Sequence, residues 1–397
     1  MDGRTLQEIS PEEISIIAFD PQQGHVLRLA QQTSVFFPGA RVNIVTGYDG
    51  RRLVCPAWWK SGPGAFGCYQ THLTVMMSAL NRGVSGLMVL EEDAVYRDNF
   101  KQRYSQFASE LPADAGLCYL GGQHLHWIRA LPTPVSRHVY RPYCLNRLHG
   151  YLILEPRFLG KILHHLYSPE SWSEPHHIDH RMGTLMRTGT PGIYCPDEWM
   201  IGQTAGKSRV SGKLLPERFF IDSRSLADVS PPSQVVAIIN PRGSLSQKHL
   251  RILDSLEITL GHPATEAHSE EHMSIQDTIL WTYLDQFLPS SNANLSCGWH
   301  EIEGALQRWA SVRALQITGK YLGAWDVRLA LLPDLVASAW PGVKFLFISD
   351  SSFRKRDSGQ FKEAVRLVQL AKAPMRVLNL DENQAGELEA VAKWLSE

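Results

Sequence analysis

The sequence predicts an α/β protein made of two units. Three observations predict this class: short apolar runs alternate with segments of helical spacing, the runs end at turn-forming or acidic residues, and a polar stretch interrupts the pattern past the middle of the chain. The chain has 397 residues. At roughly 100–200 residues per domain, this length also favours two domains.

The first unit alternates strand-like and helix-like segments. Ile14–Phe19 is a short apolar run closed by Asp20-Pro21, as expected of a buried strand followed by a turn. Further strands are predicted at Arg41–Val45, Gly86–Leu90 and Cys118–Leu120, and helices at His25–Ser34 and Thr71–Asn81. Strands separated by helices favour a mixed, mostly parallel sheet with helices on both faces. In such sheets, ligands bind at the carboxyl ends of the strands.

A polar stretch at Asp222–Gln234, which contains Ser-Pro-Pro-Ser, predicts a linker. The expected division is therefore a first domain at 1–221, a linker at 222–234 and a second domain at 235–397. In the second domain, strands are predicted at Val235–Ile239, Val343–Ile348 and Arg376–Leu380, and helices at Leu245–Leu260, Ser274–Phe287, Ala330–Ala339 and Ala385–Leu395.

The charge balance excludes a strong general attraction to polyanions, because Lys+Arg 39 against Asp+Glu 40 gives a net charge of -1. A local basic groove for nucleic acid stays compatible with that total. No apolar run reaches the length of a membrane-spanning helix, and the acidic N-terminus is unlike a secretory leader. The six cysteines are scattered without a C-x-x-C pair, which favours reduced thiols and a cytoplasmic protein.

The main chemical signal is an apolar strand that ends in Glu91-Glu92-Asp93. Three adjacent carboxylates raise one another's pKa unless a cation neutralises them. A hard divalent metal such as Mg²⁺ or Mn²⁺ takes oxygen ligands and keeps substrate phosphates in its coordination shell. The alternative interpretation is a solvated turn whose acids cap the next helix.

The motifs around this strand resemble those of the family-25 glycosyltransferases, the group of lipo-oligosaccharide and procollagen galactosyltransferases. The family pattern G-x-x-G-C-x-x-S-H, then L-x-L-E-D-D-A, is matched by Gly64–His72 and by Val89–Ala94, with Thr71 for Ser and Glu92 for the middle Asp. Weaker matches follow in the same order at Asp49-Gly50-Arg51, Gly150–Ile153, His177-Ile178-Asp179, Tyr194-x-Pro196 and Gln203.

This resemblance implies a GT-A-like fold, a nucleotide-sugar such as a UDP-sugar as co-substrate, and Mn²⁺ or Mg²⁺ as cofactor. It implies that Asp93, Glu91 and Glu92 bind the metal and that Asp179 is the general base for the acceptor hydroxyl. The other implied donor-binding residues are Asp49, Gly50, Arg51, His72 and Gln203. Members of the group are mostly inverting enzymes, which require one such base and no covalent intermediate.

Histidines cluster around Asp179. His176 and His180 would share one face of a helix, but H-H-x-D-H lacks the H-E-x-x-H spacing of zinc proteases. These side chains, His177 in particular, are therefore expected on the acceptor side of the cleft. His124 follows a predicted strand end after Gly121-Gly122, where loops contact ligands, so it is assigned to the same side.

The second domain resembles a sulfotransferase with altered cofactor residues. The segment from Val235 to Ser246 has the form strand, glycine turn, helix, which is similar to the loop that holds the 5′-phosphate of PAPS in that family. The family's Ser-Gly order is inverted at Gly243-Ser244, Trp325 stands where the family has Lys, and Ser349 stands where it has Arg. Lost charge-assisted phosphate contacts predict an inactive domain retained for structure, acceptor binding or assembly.

The resulting hypothesis is a metal-assisted hexosyltransferase that moves a sugar from a nucleotide-sugar to a hydroxyl of a glycan, a protein or a nucleobase. Three alternatives remain open: a viral-type enzyme acting on hydroxymethylated bases in DNA, a PAPS-dependent sulfotransferase, and a non-catalytic nucleotide-sugar-binding module. A homo-oligomer is compatible with the sequence.

Overall fold

The computed structural model describes residues 9–167, 177–207, 214–228, 234–239, 247–260, 280, 284, 299–315, 320–349, 358–379 and 384–397. The chain forms two compact units, Met1–Asp228 and Val229–Glu397. Both units combine a sheet with packed helices, so the predicted α/β class is confirmed. Across these residues, every helix is too short or too polar to cross a lipid bilayer.

The first unit is built on one large sheet with two small additions. Its strands are β1 (Glu13–Ala18), β2 (Arg41–Thr46), β3 (Leu87–Glu91), β4 (Ala94–Tyr96), β5 (Leu117–His124), β6 (Thr133–Pro134), β7 (Val139–Arg141), β8 (Leu145–Ile153), β9 (Ile193–Pro196), β10 (Ile201–Gln203), β11 (Gly206–Lys207) and β12 (Leu214–Leu215). Its helices are α1 (Gly24–Phe36), α2 (Gly62–Asn81), α3 (Phe100–Ser109), α4 (Pro156–Tyr167), α5 (Ile178–Arg187) and α6 (Ser223–Ala227), with a 3-10 turn at Gly50–Arg52.

The large sheet has eight strands in the order β2-β1-β3-β8-β5-β9-β7-β6. The pairs β1–β2, β1–β3 and β5–β9 are parallel, and only β7 and β8 run against the other strands of this sheet. Alternate residues of β3 enter two separate cores: Leu87 and Val89 pack with α2, α4 and α5, whereas Met88 and Leu90 pack with α1 and α3. The predicted mostly parallel sheet with helices on both faces is therefore confirmed.

The second unit contains a five-stranded parallel sheet in the order β14-β15-β13-β16-β17. Its elements are β13 (Val235–Ile239), α7 (Gln247–Ser255), β14 (Ile258–Leu260), α8 (Trp299–Ala314), β15 (Tyr321–Trp325), a 3-10 turn at Val327–Leu331, α9 (Pro333–Ala339), β16 (Lys344–Ser349), α10 (Ser358–Leu370), β17 (Met375–Asn379) and α11 (Gln384–Ser396). Leu346 and Ile348 of β16 pack in the core with α7 and α11, and Phe347 meets Phe361 of α10 edge-on.

Several sequence-based boundaries need correction in the first unit. Helix α2 begins at Gly62 rather than Thr71, because Pro63 suits the first turn of a helix while the small residues around it hide the apolar period. Strand β5 continues to His124, so Gly121 and Gly122 lie inside a strand with an irregular register rather than after it. Helix α6 occupies 223–227, within the predicted linker, because Asp222 caps it through the Ser225 N–H.

In the second unit, the predicted helix 245–260 is wrong at its end. Helix α7 stops at Ser255, Glu257 takes a positive φ of 56°, and Ile258–Leu260 is a strand. The predicted helix 330–339 is divided into a 3-10 turn and α9, because Pro333 lacks an N–H and restricts the residue before it. Helix α8 and strand β15 were not predicted. The helix expected at 274–287 lies outside the described residues, apart from helical positions 280 and 284.

Candidate functional site

The carboxyl ends of β2, β1 and β3 lie at one edge of the large sheet, because these strands are parallel neighbours. Glu91 is the last residue of β3. Asp93 is the second residue of the two-residue turn that joins β3 to β4. Strand β8 runs antiparallel to β3 with Leu90 opposite Gly150. That register places His149 beside Glu91. The edge therefore carries two carboxylates from one turn and an imidazole from the adjacent strand.

Glu91, Asp93 and His149 bring one ligand atom each to within 4.8 Å of one another. His149 Nδ1 lies 3.8 Å from Glu91 Oε2 and 4.0 Å from Asp93 Oδ1. His149 is 1% exposed, yet neither ring nitrogen has a hydrogen-bond partner, and Asp93 Oδ1 also has none. Buried polar atoms without partners are costly. Their convergence on one point is the arrangement that a bound cation would satisfy.

The two carboxyl groups differ in their electrostatics. Burial alone would raise the pKa of Glu91, but the nearby imidazoles of His149 and His72 lower it to about 2. For Asp93, burial and the negative charge of Glu91 raise the pKa, and the hydrogen bond from Gln203 only partly opposes them. Glu91 is thus already stabilised as an anion, whereas the charged form of Asp93 lacks sufficient positive partners.

His72 lies beside the other oxygen of Glu91. Its Nε2 lies 3.4 Å from Glu91 Oε1, and its Nδ1 is hydrogen-bonded to the Tyr151 hydroxyl at 2.9 Å. Cys68, one turn earlier on α2, completes a second group of ligand-type atoms with His72 and Glu91. Burial, and then the charges of Glu91, Asp179 and Asp93, raise the pKa of the Cys68 thiol well above its usual value. Cys68 therefore stays a neutral thiol near the carboxylates.

Gln203, which the sequence analysis placed in the donor site, contacts Asp93. Its Nε2 donates to Asp93 Oδ2 at 2.8 Å, and β10 pairs with β4 so that Gln203 lies opposite Ala94. The backbone N–H of Thr204 donates to the Asp93 carbonyl at 2.7 Å. The turn that carries Asp93 is therefore held by β10 at both its backbone and its side chain.

Glu92 lies apart from the group formed by Glu91, Asp93 and His149. Its Oε2 accepts a hydrogen bond from the Phe19 backbone N–H at 3.0 Å, at the end of β1. Successive side chains after a strand point to opposite sides, so Glu91 and Asp93 can share a ligand that Glu92 does not face. Of the three predicted metal ligands, Glu91 and Asp93 thus lie together, and the third member of their group is His149, which the sequence did not single out.

Asp49, Gly50 and Arg51 form a tight turn after β2. Asp49 Oδ1 accepts from the Arg51 N–H at 3.1 Å and from Arg51 Nε at 2.9 Å, and the Arg51 guanidinium lowers the pKa of Asp49. A Cβ at Gly50 would lie 1.7 Å from the Pro63 carbonyl oxygen. Only glycine therefore allows this turn to pack against the first turn of α2.

Asp179, in the first turn of α5, contacts the backbone of β8. Its Oδ2 accepts from the backbone N–H of Arg147 at 3.2 Å, two residues before His149, and its Oδ1 accepts from the His180 N–H at 2.9 Å. Arg147 has a positive φ of 63° inside β8, which is strained for a residue with a side chain. Asp179 holds this strained backbone from the first turn of α5.

The three predicted acceptor-side histidines have different positions. His177 immediately precedes α5 beside Asp179, and burial lowers its pKa. His124 lies in the core, with Nε2 3.0 Å from Ser223 Oγ and its ring against Trp199, and burial lowers its pKa to about 3. His124 thus faces the interior. His176 lies outside the described residues.

No protein-family model and no curated protein matches the sequence. Among solved structures, the chain is similar to a glycosyltransferase involved in glycosylation of the major capsid of PBCV-1, at 9% identity and a TM-score of 0.27, over 57% of this chain and 84% of that one. It is also similar to mannose-1-phosphate geranyltransferase from Thermus thermophilus, at 12% identity and a TM-score of 0.23, over 58% and 84%. Similarities at this level carry no functional argument.

Proposed function

We propose that this protein is a metal-assisted glycosyltransferase of the GT-A type, which moves a sugar from a nucleotide-sugar donor to an acceptor hydroxyl with inversion. The observation that carries the proposal is the group formed by Glu91, Asp93 and His149, with its unpartnered ligand atoms at the carboxyl edge of a mostly parallel sheet. The family-25 resemblance of the same strand end supports it.

The residues present fit a divalent cation. Glu91 and Asp93 would supply oxygen and His149 nitrogen, a set that a first-row transition ion such as Mn²⁺ accepts more readily than the oxygen-preferring Mg²⁺. His72 and Gln203 orient the two carboxylates from behind, as outer partners of metal ligands do. When bound by these residues, such an ion would neutralise negative charge on a diphosphate leaving group.

Asp179 is proposed as the general base. The carboxylate takes the proton of the acceptor hydroxyl while the acceptor oxygen bonds to the sugar C1, and the bond from C1 to the diphosphate breaks with its electron pair going to the diphosphate oxygen. A single displacement of this kind inverts C1. Asp179 is held by two backbone N–H groups, which fix its direction without using all of its lone pairs.

The second unit is proposed to be a sulfotransferase-like fold without sulfotransferase activity. Strand β13 lies at the centre of an all-parallel sheet, with neighbours on both sides, and ligands of such sheets bind beyond the carboxyl ends of the strands. Asp326 and Arg328, in the segment that resembles the sulfotransferase pattern, are ion-paired to each other at 2.6 Å. The loop itself, 240–246, and the side chains of Trp325 and Ser349 lie outside the described residues.

A thermal-shift comparison tests the donor class. Wild-type protein is melted with UDP-sugars, GDP-sugars or PAPS, each with Mn²⁺ and with EDTA. A ligand at 100 times its Kd adds about 2.7 kcal/mol to the stability of the unit that binds it. We expect a nucleotide-sugar to raise Tm in Mn²⁺ only, and PAPS to leave Tm unchanged. A Tm increase with PAPS alone would instead establish the sulfotransferase alternative.

A further inference from the structure

A half-buried arginine, Arg218, is fastened to the strand that holds Asp93. Its backbone N–H donates to the Gln203 carbonyl at 2.9 Å, and the Gln203 N–H donates to the Arg218 carbonyl at 3.0 Å. A Cβ at Gly202 would lie 2.7 Å from the Arg218 oxygen, so glycine permits this close approach. The position of Arg218 relative to β10 is therefore fixed by the backbone.

The side chain of Arg218 is also fixed. Its Nε and Nη2 donate to Gln203 Oε1 at 3.2 and 3.1 Å, and Gln203 passes the contact on to Asp93 through its Nε2. The guanidinium lies 4.5 Å from the centroid of the Phe220 ring, and Phe220 is parallel to His149, 6.0 Å between centroids. The Arg218 guanidinium is therefore linked to Asp93 through Gln203 and to His149 through Phe220.

Arg218 has no direct carboxylate partner among the described residues. Its hydrogen bonds go to a neutral amide, and its Nη1 has no acceptor within that part of the chain. Burial and the nearby charge of Arg147 lower the pKa of Arg218, and Asp93 acts in the opposite direction. A preorganised guanidinium beside a second cation favours a multivalent anion, and Arg binds phosphate oxygens in a bidentate fashion.

We propose that Arg218 binds the diphosphate of the nucleotide-sugar and neutralises it as it leaves. The inference rests on the proposed function and adds a donor-site residue that the sequence did not indicate. When the C1–O bond breaks, negative charge develops on the diphosphate oxygen. The Arg218 guanidinium would neutralise this charge together with a cation held by Glu91, Asp93 and His149. In this proposal Arg218 stabilises the leaving group, whereas Asp179 deprotonates the acceptor.

The experiment compares diphosphate with monophosphate binding by calorimetry in Mn²⁺, using UDP with UMP and GDP with GMP. In Arg218→Gln, we expect the affinity for the diphosphate that binds wild type to fall by about 10- to 100-fold, while monophosphate affinity changes much less. Arg218→Lys keeps the positive charge but loses the two parallel N–H donors of the guanidinium. Its diphosphate affinity should therefore lie between those of the wild type and Arg218→Gln. Arg103→Gln is the matched control, since Arg103, which lies on α3, is ion-paired with Glu198 instead.

Wild-type diphosphate affinity in Arg218→Gln, or an equal loss of monophosphate and diphosphate affinity in both Arg218 variants, would overturn the inference. The second outcome would show that Arg218 only supports the fold of the site. If the wild type binds none of the four nucleotides, the proposed function itself fails and the inference with it. Circular dichroism of each variant, compared with Arg103→Gln, shows whether the fold is retained.

Discussion

Asp93 is the residue whose environment most clearly requires a ligand. Two histidines already stabilise Glu91 as an anion, whereas burial and the charge of Glu91 raise the pKa of Asp93 and leave its Oδ1 unpartnered. A cation at this point would lower the free energy of the charged form of Asp93 and satisfy His149 at once. Asp93 is therefore the residue at which the proposed metal site is best tested.

The first prediction is that Asp93→Asn weakens Mn²⁺ binding by at least about tenfold, because an amide of equal volume removes one charged ligand. Electron paramagnetic resonance measures free Mn²⁺ directly in a titration. Glu92→Gln is the control, since Glu92 contacts the end of β1 instead. Equal Mn²⁺ affinity in wild type and Asp93→Asn would refute the metal assignment, and loss in Glu92→Gln alone would reassign the ligand.

The second prediction concerns Asp179. Asp179→Asn should lower the transfer rate by about 10²–10⁴-fold and leave donor Kd close to wild type, because a general base accelerates the reaction without binding the nucleotide. Single-turnover kinetics separate the two quantities. Asp114→Asn serves as control, since Asp114 accepts a hydrogen bond from the Tyr194 hydroxyl away from β8. Weak donor binding with normal transfer per bound donor would place Asp179 in the donor site.

The third prediction uses the buried His124. Its folded pKa of about 3 lies below the usual 6.5, so the unfolded chain takes up the proton first and the contribution of neutral His124 to stability is lost as pH falls below about 6.5. Between pH 8 and pH 5.5 we expect this loss to be about 1 kcal/mol. The Tm difference between wild type and His124→Gln should therefore shrink over that range in calorimetry. A Tm difference independent of pH would contradict it.

The sequence indicated part of this site and missed the rest for identifiable reasons. Glu91 and Asp93 could be predicted because an apolar strand ending in acids is visible in the sequence itself. His149 could not, since its place beside Glu91 depends on an antiparallel register between β3 and β8, strands far apart in the chain. Arg218 reaches Asp93 only through Gln203, a contact that no local pattern reveals.

At the level of elements, helix α2 links the turn after β2 to the proposed site. A Cβ at Gly67 would lie 2.3 Å from the Tyr48 carbonyl oxygen, and Thr71 Oγ1 accepts from the Tyr48 N–H at 2.9 Å. The same helix presents His72 to Glu91. The small residues of the motif thus allow backbone to approach backbone, and this approach sets the position of the histidine.

The fourth prediction is that Gly67→Ala destabilises the protein by about 1–3 kcal/mol, because the methyl group would push the turn away from α2. Gly160→Ala in α4 is the matched comparison, since a Cβ there meets nothing within 4 Å. That variant should instead gain about 0.5–1 kcal/mol from the glycine it removes. Denaturant unfolding of both variants measures the difference, and equal effects would contradict the close contact.

Elements with strong apolar runs were predicted almost at their observed bounds, whereas others depended on tertiary contacts. Strand β13 was predicted without error because five consecutive buried apolar residues form it. Helix α8 was missed because its apolar residues are interspersed with charged ones. Its Leu306 and Trp309 are nevertheless buried, and Trp340, which follows α9, packs on the Trp309 ring and donates a hydrogen bond to the Leu306 carbonyl. Burial of this kind is decided by packing between elements rather than by local period.

At the scale of the whole molecule, each unit has its own sheet and its own core. The chemistry described above lies entirely within the first unit, where every proposed ligand, base and diphosphate contact is found. The described part of the second unit contains an all-parallel sheet with β13 as its central strand. The proposed transfer reaction therefore needs only residues of the first unit.

The most direct test of the central claim is nucleoside diphosphate release from a panel of nucleotide-sugars, measured with Mn²⁺ and with excess EDTA. We predict that the wild type releases diphosphate from at least one donor in Mn²⁺ and that EDTA abolishes this release. The Asp93→Asn variant should release no diphosphate under either condition. A binding module would bind a donor and release nothing. Full release in EDTA, or wild-type release by Asp93→Asn, would contradict a metal-assisted glycosyltransferase at this site.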